Sequence, residues 1–235
     1  MMDRQTQAFG SVLDSIVVSL ADRVRVRRQS GPRTRVKHGR ITMRQAEAVN
    51  DAWLFAIQGE TPLNTFVTVH WGHAPPIDGA HPVERNGRLR DGLKAWLYRH
   101  APGLPFVWIE VREKTPGSHG DHVHLFVHVP DDCREGFTAA VFRLVSSQSS
   151  SVSPTACDVR PVGAAWWDRR AYALKAGTDD VRERYMTPEQ RRRKGWGPGQ
   201  GIIDGPRTRV SHSIGQTARA AAEGVGTFTD MKATA

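Results

Sequence analysis

Apolar positions recur along this chain with two periods, and those periods divide it into helices and strands. Phe9, Val12, Leu13, Ile16, Val17 and Leu20 fall at helical spacing over residues 6–21. Met43, Ala46, Val49, Trp53 and Ile57 do the same over 42–58, with Thr42 as an N-cap. Between these helices, residues 23–40 are basic, are broken by Gly and Pro, and lack a sustained apolar face, the pattern of a linker or basic arm. Residues 64–71 are β-rich and bounded by Gly72 and Pro75-Pro76, which predicts a strand. A helix follows over 89–100, with Leu93, Trp96 and Leu97 on its buried stripe and Pro102-Gly103 closing it. Residues 106–113 form a second strand, and the loop 115–120 folds it back onto a third, 122–129, as an antiparallel hairpin.

Further on, a helix is expected over 133–146 with Phe137, Val141, Phe142 and Val145 inward, then a serine-rich break over 146–153. A short edge strand over 157–162 precedes a further helix over 164–176. Beyond Gly177 the chain turns charged, then Gly-rich, and its last twenty residues are small and polar, so this tail is expected to be partly disordered. The order of elements predicts an α+β fold: a central antiparallel β-sheet flanked by helices. Around it stand a helical N-terminal extension with its basic linker (1–60), a central domain (61–178) and a basic Gly-rich tail (179–235).

Charge narrows the partners. Over 235 residues, 33 Lys and Arg oppose 24 Asp and Glu, a formal net charge of +9 that favours a polyanion. No segment approaches the roughly 20 apolar residues a spanning helix needs, so no membrane partner is expected. The polar start of the chain argues against secretion. Cys133 and Cys157 are the only cysteines and form no CxxC knuckle, which suits a reducing cytoplasm without disulfides.

The third strand carries the chemistry. Alternate strand residues share a face, so His122 and His124 can converge on one metal ion, and a divalent cation gives two otherwise costly histidines a partner. Hairpin pairing nominates Glu113 or Glu110 as a third ligand. Glu113 shares the face if it pairs with His122; a register shifted by one selects Glu110 instead. His119 can also reach from the loop, whereas His128 sits about 13 Å along the strand from His124, too far for the same ion. Downstream, Tyr172 and Lys175 lie three apart, on one face of a helix. A tyrosine hydroxyl can attack a phosphodiester where a metal polarises the phosphate and a cation stabilises the developing charge, and Lys175 is a fitting cation.

In this order, the β-rich stretch Thr65-Phe66-Val67-Thr68-Val69-His70-Trp71, the His122-Val123-His124 pair and Tyr172-Ala173-Leu174-Lys175 resemble the three motifs of the HUH endonuclease superfamily, in its rolling-circle replication initiator (Rep-like) branch of bacterial plasmid and phage type. An acidic residue eight or nine positions before the histidine pair is usual in that branch, which supports Glu113. The segment from Gly199 to Arg207 resembles a tail seen after the tyrosine in some bacterial relatives. The resemblance, which covers roughly residues 62–177, implies Mg²⁺ or Mn²⁺ at the histidine pair. It also implies strand-specific nicking and joining of single-stranded DNA at an origin or hairpin-like site, with Tyr172 holding the 5′ end as a phosphotyrosine. His70 and Trp71 depart from the usual first motif, and only one tyrosine occupies the third.

Two rivals remain. Single-tyrosine HUH transposases share the run Asp121-His122-Val123-His124-Leu125 but usually place a glutamine near the nucleophile, where this chain has Lys175. The other is a non-catalytic basic nucleic-acid-binding module with a structural zinc on His119, His122, His124 and Cys133. No Gly-x-x-x-x-Gly-Lys-Ser/Thr loop occurs, so strand opening would fall to supercoiling or a host helicase. Arg25, Arg27, Arg28, Arg33, Arg35 and Lys37, together with Arg191, Arg192, Arg193 and Lys194, are the candidates for tracking DNA phosphates. Trp71 and Trp196 are candidate base-stacking platforms.

Overall fold

A five-stranded, wholly antiparallel sheet organises the fold. The computed structural model describes residues 37–114, 120–163, 166–193 and 201–224, all within the second of two units, Met1–Arg35 and Val36–Ala235. The helix expected over 6–21 lies outside the described residues.

The central strands are β2 (Thr65–His70), β3 (Trp108–Lys114) and β4 (Asp121–Val127), with β5 (Cys157–Pro161) and β7 (Thr208–Val210) at the edges in the order β5-β2-β4-β3-β7. A separate two-stranded ribbon joins β1 (Lys37–His38) to β6 (Ile203–Asp204). β2 and β4 are buried along almost their whole length, as strands covered on both faces must be. Helices α2 (Pro82–His100) and α3 (Arg134–Ser146) cover one face, packing Leu89, Leu93, Trp96, Phe137 and Val141 on Val67, Val69, Val123 and Leu125. On the other face, α1 (Met43–Gln58) and α4 (Trp166–Ala173) pack Val49, Trp53, Ala171 and Ala173 into a core with Phe66, Ile109, Val111 and Phe126. The α+β class and the antiparallel sheet thus stand as the sequence pattern implies.

Local chemistry fixes the helix starts. Thr42 and Gln45 close a capping box on α1. His81 Nδ1 accepts from Val83 N and Pro82 occupies the first turn, so α2 begins seven residues before the expected start at 89. Two short helices, α5 (Asp179–Tyr185) and α6 (Pro188–Arg192), follow α4, and α6 carries a second capping box from Thr187 and Gln190. Among the residues expected inward, Phe142 and Ile57 are instead 40% and 38% exposed, each at the margin of its helix's buried stripe.

Described residues just beyond 200 join the same core. β7 pairs with β3 through Ile109↔Val210 and Val111↔Thr208, and Ile214 is buried beside α1. Helix α7 (Gln216–Gly224) closes the described chain with no buried residue. None of the described helices is long and apolar enough to cross a membrane.

Candidate metal centre and nucleophile

Strand pairing builds the site. Glu113 pairs with His122 across β3 and β4, and Thr68 pairs with His124 across β2 and β4, so four polar side chains share the sheet face that α4 covers. Glu110 pairs with Leu125 on the opposite face and forms an ion pair with Arg90 of α2. The register therefore assigns the carboxylate beside the histidines to Glu113.

Glu113 Oε2 lies 3.0 Å from His122 Nε2 and 3.3 Å from His124 Nε2. One ligand atom from each of Glu113, His122 and His124 can be chosen so that all lie within 4.8 Å of one another, and all three residues are buried. Burial alone would raise the Glu113 pKa, but His124, the hydrogen bond from His122 and the Lys175 ammonium together hold it well below the usual carboxylate range. Burial pushes His124 down to about 4 despite the opposing pull of Glu113, so at neutral pH its ring is uncharged, the form that binds metal. Thr68 Oγ1 sits 3.0 Å from His124 Nδ1; when it accepts from Nδ1–H, the Nε2 lone pair is left facing the carboxylate.

The donor set fits a divalent cation on two counts. Two imidazoles and a carboxylate are a common ligand combination for such ions. Glu113 Oε1 and His122 Nδ1 are also buried without a hydrogen-bond partner, whereas buried polar atoms are normally satisfied.

Tyr172 enters this face from α4, its Oη 3.4 Å from His124 Nε2 and its ring edge-on to the rings of His124 and Phe66. Both flanks of α4 are tied down. Asp168 accepts from Gln190 and Arg193 on one side, and Arg170 donates to Asn50 of α1 on the other. Helix α4 ends at Ala173, short of the expected 176, so Lys175 occupies the following turn rather than the helix. From there its Nζ reaches Glu113 Oε2 at 2.8 Å and lies 3.4 Å from the Tyr172 ring centroid.

The remaining sequence candidates distribute as follows. Lys37 is exposed on β1. Arg192 is exposed at the end of α6; Arg191 is half-buried, with its carbonyl bonded by Arg182; and Arg193 pairs with Asp168 at 3.2 Å. Arg25, Arg27, Arg28, Arg33, Arg35, Lys194, His119 and Trp196 lie outside the described residues. His128 is bonded to Pro62 O, away from the site. Trp71 is not a stacking platform: it is buried, donates to Asn86 Oδ1 at 2.6 Å and lies beneath the Arg85 guanidinium. Cys133 is buried between α2 and α3, where its thiol donates to His100 O, and it takes no part in the histidine cluster.

Three features were not anticipated. His70 pairs with His122, their rings 5.0 Å apart, and so walls the face that carries the cluster. Thr68 orients His124, which strand alternation from His70 could have indicated. Arg207 is fully buried and donates to Arg112 O and Gly201 O, while Arg112 N donates to Arg207 O and Gly201 N to Lys114 O. The C-terminal segment thereby clasps β3 on both sides of Glu113. No family model, no curated protein and no solved structure matches the chain.

Proposed function

We propose that this chain is a metal-dependent endonuclease of the HUH type. It nicks and rejoins single-stranded DNA strand-specifically through a 5′-phosphotyrosine on Tyr172, as in rolling-circle replication initiation of a plasmid or phage-like element. The observation that carries this reading is the convergence of Tyr172 Oη, 3.4 Å from His124 Nε2, on the buried Glu113, His122 and His124 cluster. A nucleophile beside a metal-ligand set is the arrangement that phosphoryl transfer requires.

Glu113, His122 and His124 would hold Mg²⁺ or Mn²⁺, which when bound polarises the scissile phosphate. Tyr172 Oη forms the new bond to phosphorus as the bond to the 3′ oxygen breaks and the phenol proton passes to that oxygen, leaving the 5′ phosphate on the tyrosine and a free 3′-OH. Attack by a 3′-OH reverses this, and because one phosphodiester-type bond replaces another, resealing consumes no nucleoside triphosphate. The ties from Asp168 and Arg170 fix the helix that carries the phenol, which would be the entropic part of the catalysis. On the same face, Arg169 stacks over Phe66, supplying positive charge for the flanking phosphates, while Arg160 on β5 opposite Phe66 is paired with Asp158.

The test is incubation of the full chain with a degenerate pool of labelled single-stranded oligonucleotides and Mn²⁺, followed by mass spectrometry for a nucleotide adduct. The expected result is an adduct on Tyr172 that is lost with chelator and in Tyr172→Phe. Cleavage that survives Tyr172→Phe would remove this tyrosine from the reaction.

A further inference from the structure

Glu113 Oε2 is shared by three nitrogens: His122 Nε2 at 3.0 Å, His124 Nε2 at 3.3 Å and Lys175 Nζ at 2.8 Å. Two of these belong to the ligand set, and the third is a cation in its own right. Both ends of the Lys175–Glu113 pair are buried, with side chains 5% and 1% exposed, so water screens it little. The backbone that carries the lysine is fixed. Lys175 N donates to Tyr172 O, Gly177 N to Leu174 O and Ile41 N to Ala176 O, and Leu174 and Ala176 are fully buried. What remains free to choose is the ammonium tip, and it touches two groups: Glu113 and the face of Tyr172, 3.4 Å from the ring centroid.

We propose that Lys175 is a built-in competitor of the divalent metal for Glu113, and that metal loading moves its ammonium off the carboxylate and onto the Tyr172 side. This rests on the metal-centre reading above. A doubly charged ion held by the Glu113 carboxylate and two imidazoles would stand within a few ångströms of the ammonium, and at such separations like charges in a poorly screened site repel far beyond thermal energy. The two cations would therefore compete for the Glu113 carboxylate. Of the two groups the ammonium touches, only the tyrosine remains once the metal holds Glu113. The consequence is coupling: the ammonium, divided between Glu113 and Tyr172 without the metal, is left to the tyrosine alone with it, and the metal binds more weakly than its ligand set alone would allow.

The experiment is calorimetric titration of Mn²⁺ into the full chain, as wild type, Lys175→Met and His124→Ala. Lys175→Met should bind Mn²⁺ about tenfold or more tightly than wild type, because the competitor is gone while the ligands remain. Equal or weaker binding in Lys175→Met, with wild-type binding abolished by His124→Ala, overturns the proposal and leaves the metal centre standing. Absence of Mn²⁺ binding in wild type and Lys175→Met alike removes both. A second measurement needs no variant: the ¹⁵Nζ resonance of the buried Lys175 ammonium, followed as Mg²⁺ is added to wild type, should lose its carboxylate-bonded shift in step with loading. A resonance unchanged at Mg²⁺ saturation overturns the proposal.

Discussion

Glu113 stands directly across the β3–β4 pair from His122, its Oε2 3.0 Å from the ring Nε2, while Glu110, three residues earlier, faces the other way and pairs with Arg90. Parity along one strand thus separates a member of the candidate metal-ligand cluster from a structural ion pair. Glu113→Gln should weaken Mn²⁺ binding about 100-fold or more, since a neutral amide replaces the one anionic donor. Glu110→Gln should leave Mn²⁺ affinity unchanged and lower stability instead, by about 1–3 kcal/mol, because it leaves Arg90 half-paired. Calorimetry and urea unfolding of the two variants separate these outcomes.

The chain has three tyrosines, and only Tyr172 lies beside the histidines. Tyr98 is 71% exposed on α2, and Tyr185 lies against Arg184 at the end of α5. Tyr98→Phe and Tyr185→Phe should retain the covalent DNA adduct, and Tyr172→Phe should abolish it while retaining Mn²⁺ binding. Adduct mapping on the three variants checks this.

Arg207 is the buried link between the C-terminal segment and β3. Its guanidinium serves two carbonyls, Arg112 O and Gly201 O, and burial lowers its pKa. Arg207→Met strips both carbonyls of a buried donor, at a cost of about 2–4 kcal/mol in unfolding free energy. Because those carbonyls belong to residues that clasp β3 around Glu113, Mn²⁺ affinity should fall as well, in a variant that changes no ligand.

Helices α2 and α3 approach closely because each offers a glycine to the other. A Cβ on Gly136 would come within 2.9 Å of the Trp96 ring, and one on Gly92 within 2.5 Å of the Leu144 side chain. Gly136→Ala meets the more rigid neighbour, so despite the better helix propensity of alanine it should destabilise by about 1–3 kcal/mol. Thermal unfolding of the variant would show it, and an unchanged or raised Tm would contradict the packing described.

Cys157 lies buried at the start of β5, and burial pushes its thiol up to about 11. In the unfolded chain the thiol ionises near its ordinary value of 9.0. Between those values the folded state binds more protons than the unfolded state, so stability falls as pH rises through that window and is unaffected below it. The loss approaches about 3 kcal/mol above pH 11. Cys157→Ala should lack this component, visible as a smaller drop in urea midpoint between pH 8.5 and 11 than wild type shows.

The helices over α1 and α3, the strands β2 to β4 and the alternation that aligns His122 with His124 were legible because each has a sustained period. The choice between Glu113 and Glu110 was not, since register depends on a pairing that one strand's sequence does not specify. Strand β7 escaped because Thr208-Arg209-Val210 is three residues long and carries no alternation; it exists through its bonds to β3. Arg207 reads as a surface charge until Gly201 and Gly205, the latter at φ 79°, bend the chain back over β3. Helix α6 could have been read from Thr187-Pro188-Glu189-Gln190, a capping box with proline in its first turn. Lys175 was assigned to a helical face shared with Tyr172. The early end of α4 sends it instead to the carboxylate, a change that alters its chemistry more than its position.

The clasp formed by Gly201 and Arg207 on β3 gives the molecule a timetable. Glu113, His122, His124 and Tyr172 are already synthesised by residue 172, but the strand that bears Glu113 lacks its outer neighbour until residue 210 has been made. At about 5–20 residues per second, that leaves the growing chain with an unfinished centre for roughly 2–8 s. A polypeptide released early would carry the full set of chemical groups on a strand with an open edge. The edge strand β7 thus closes the sheet around Glu113 only after every side chain of the cluster has been made.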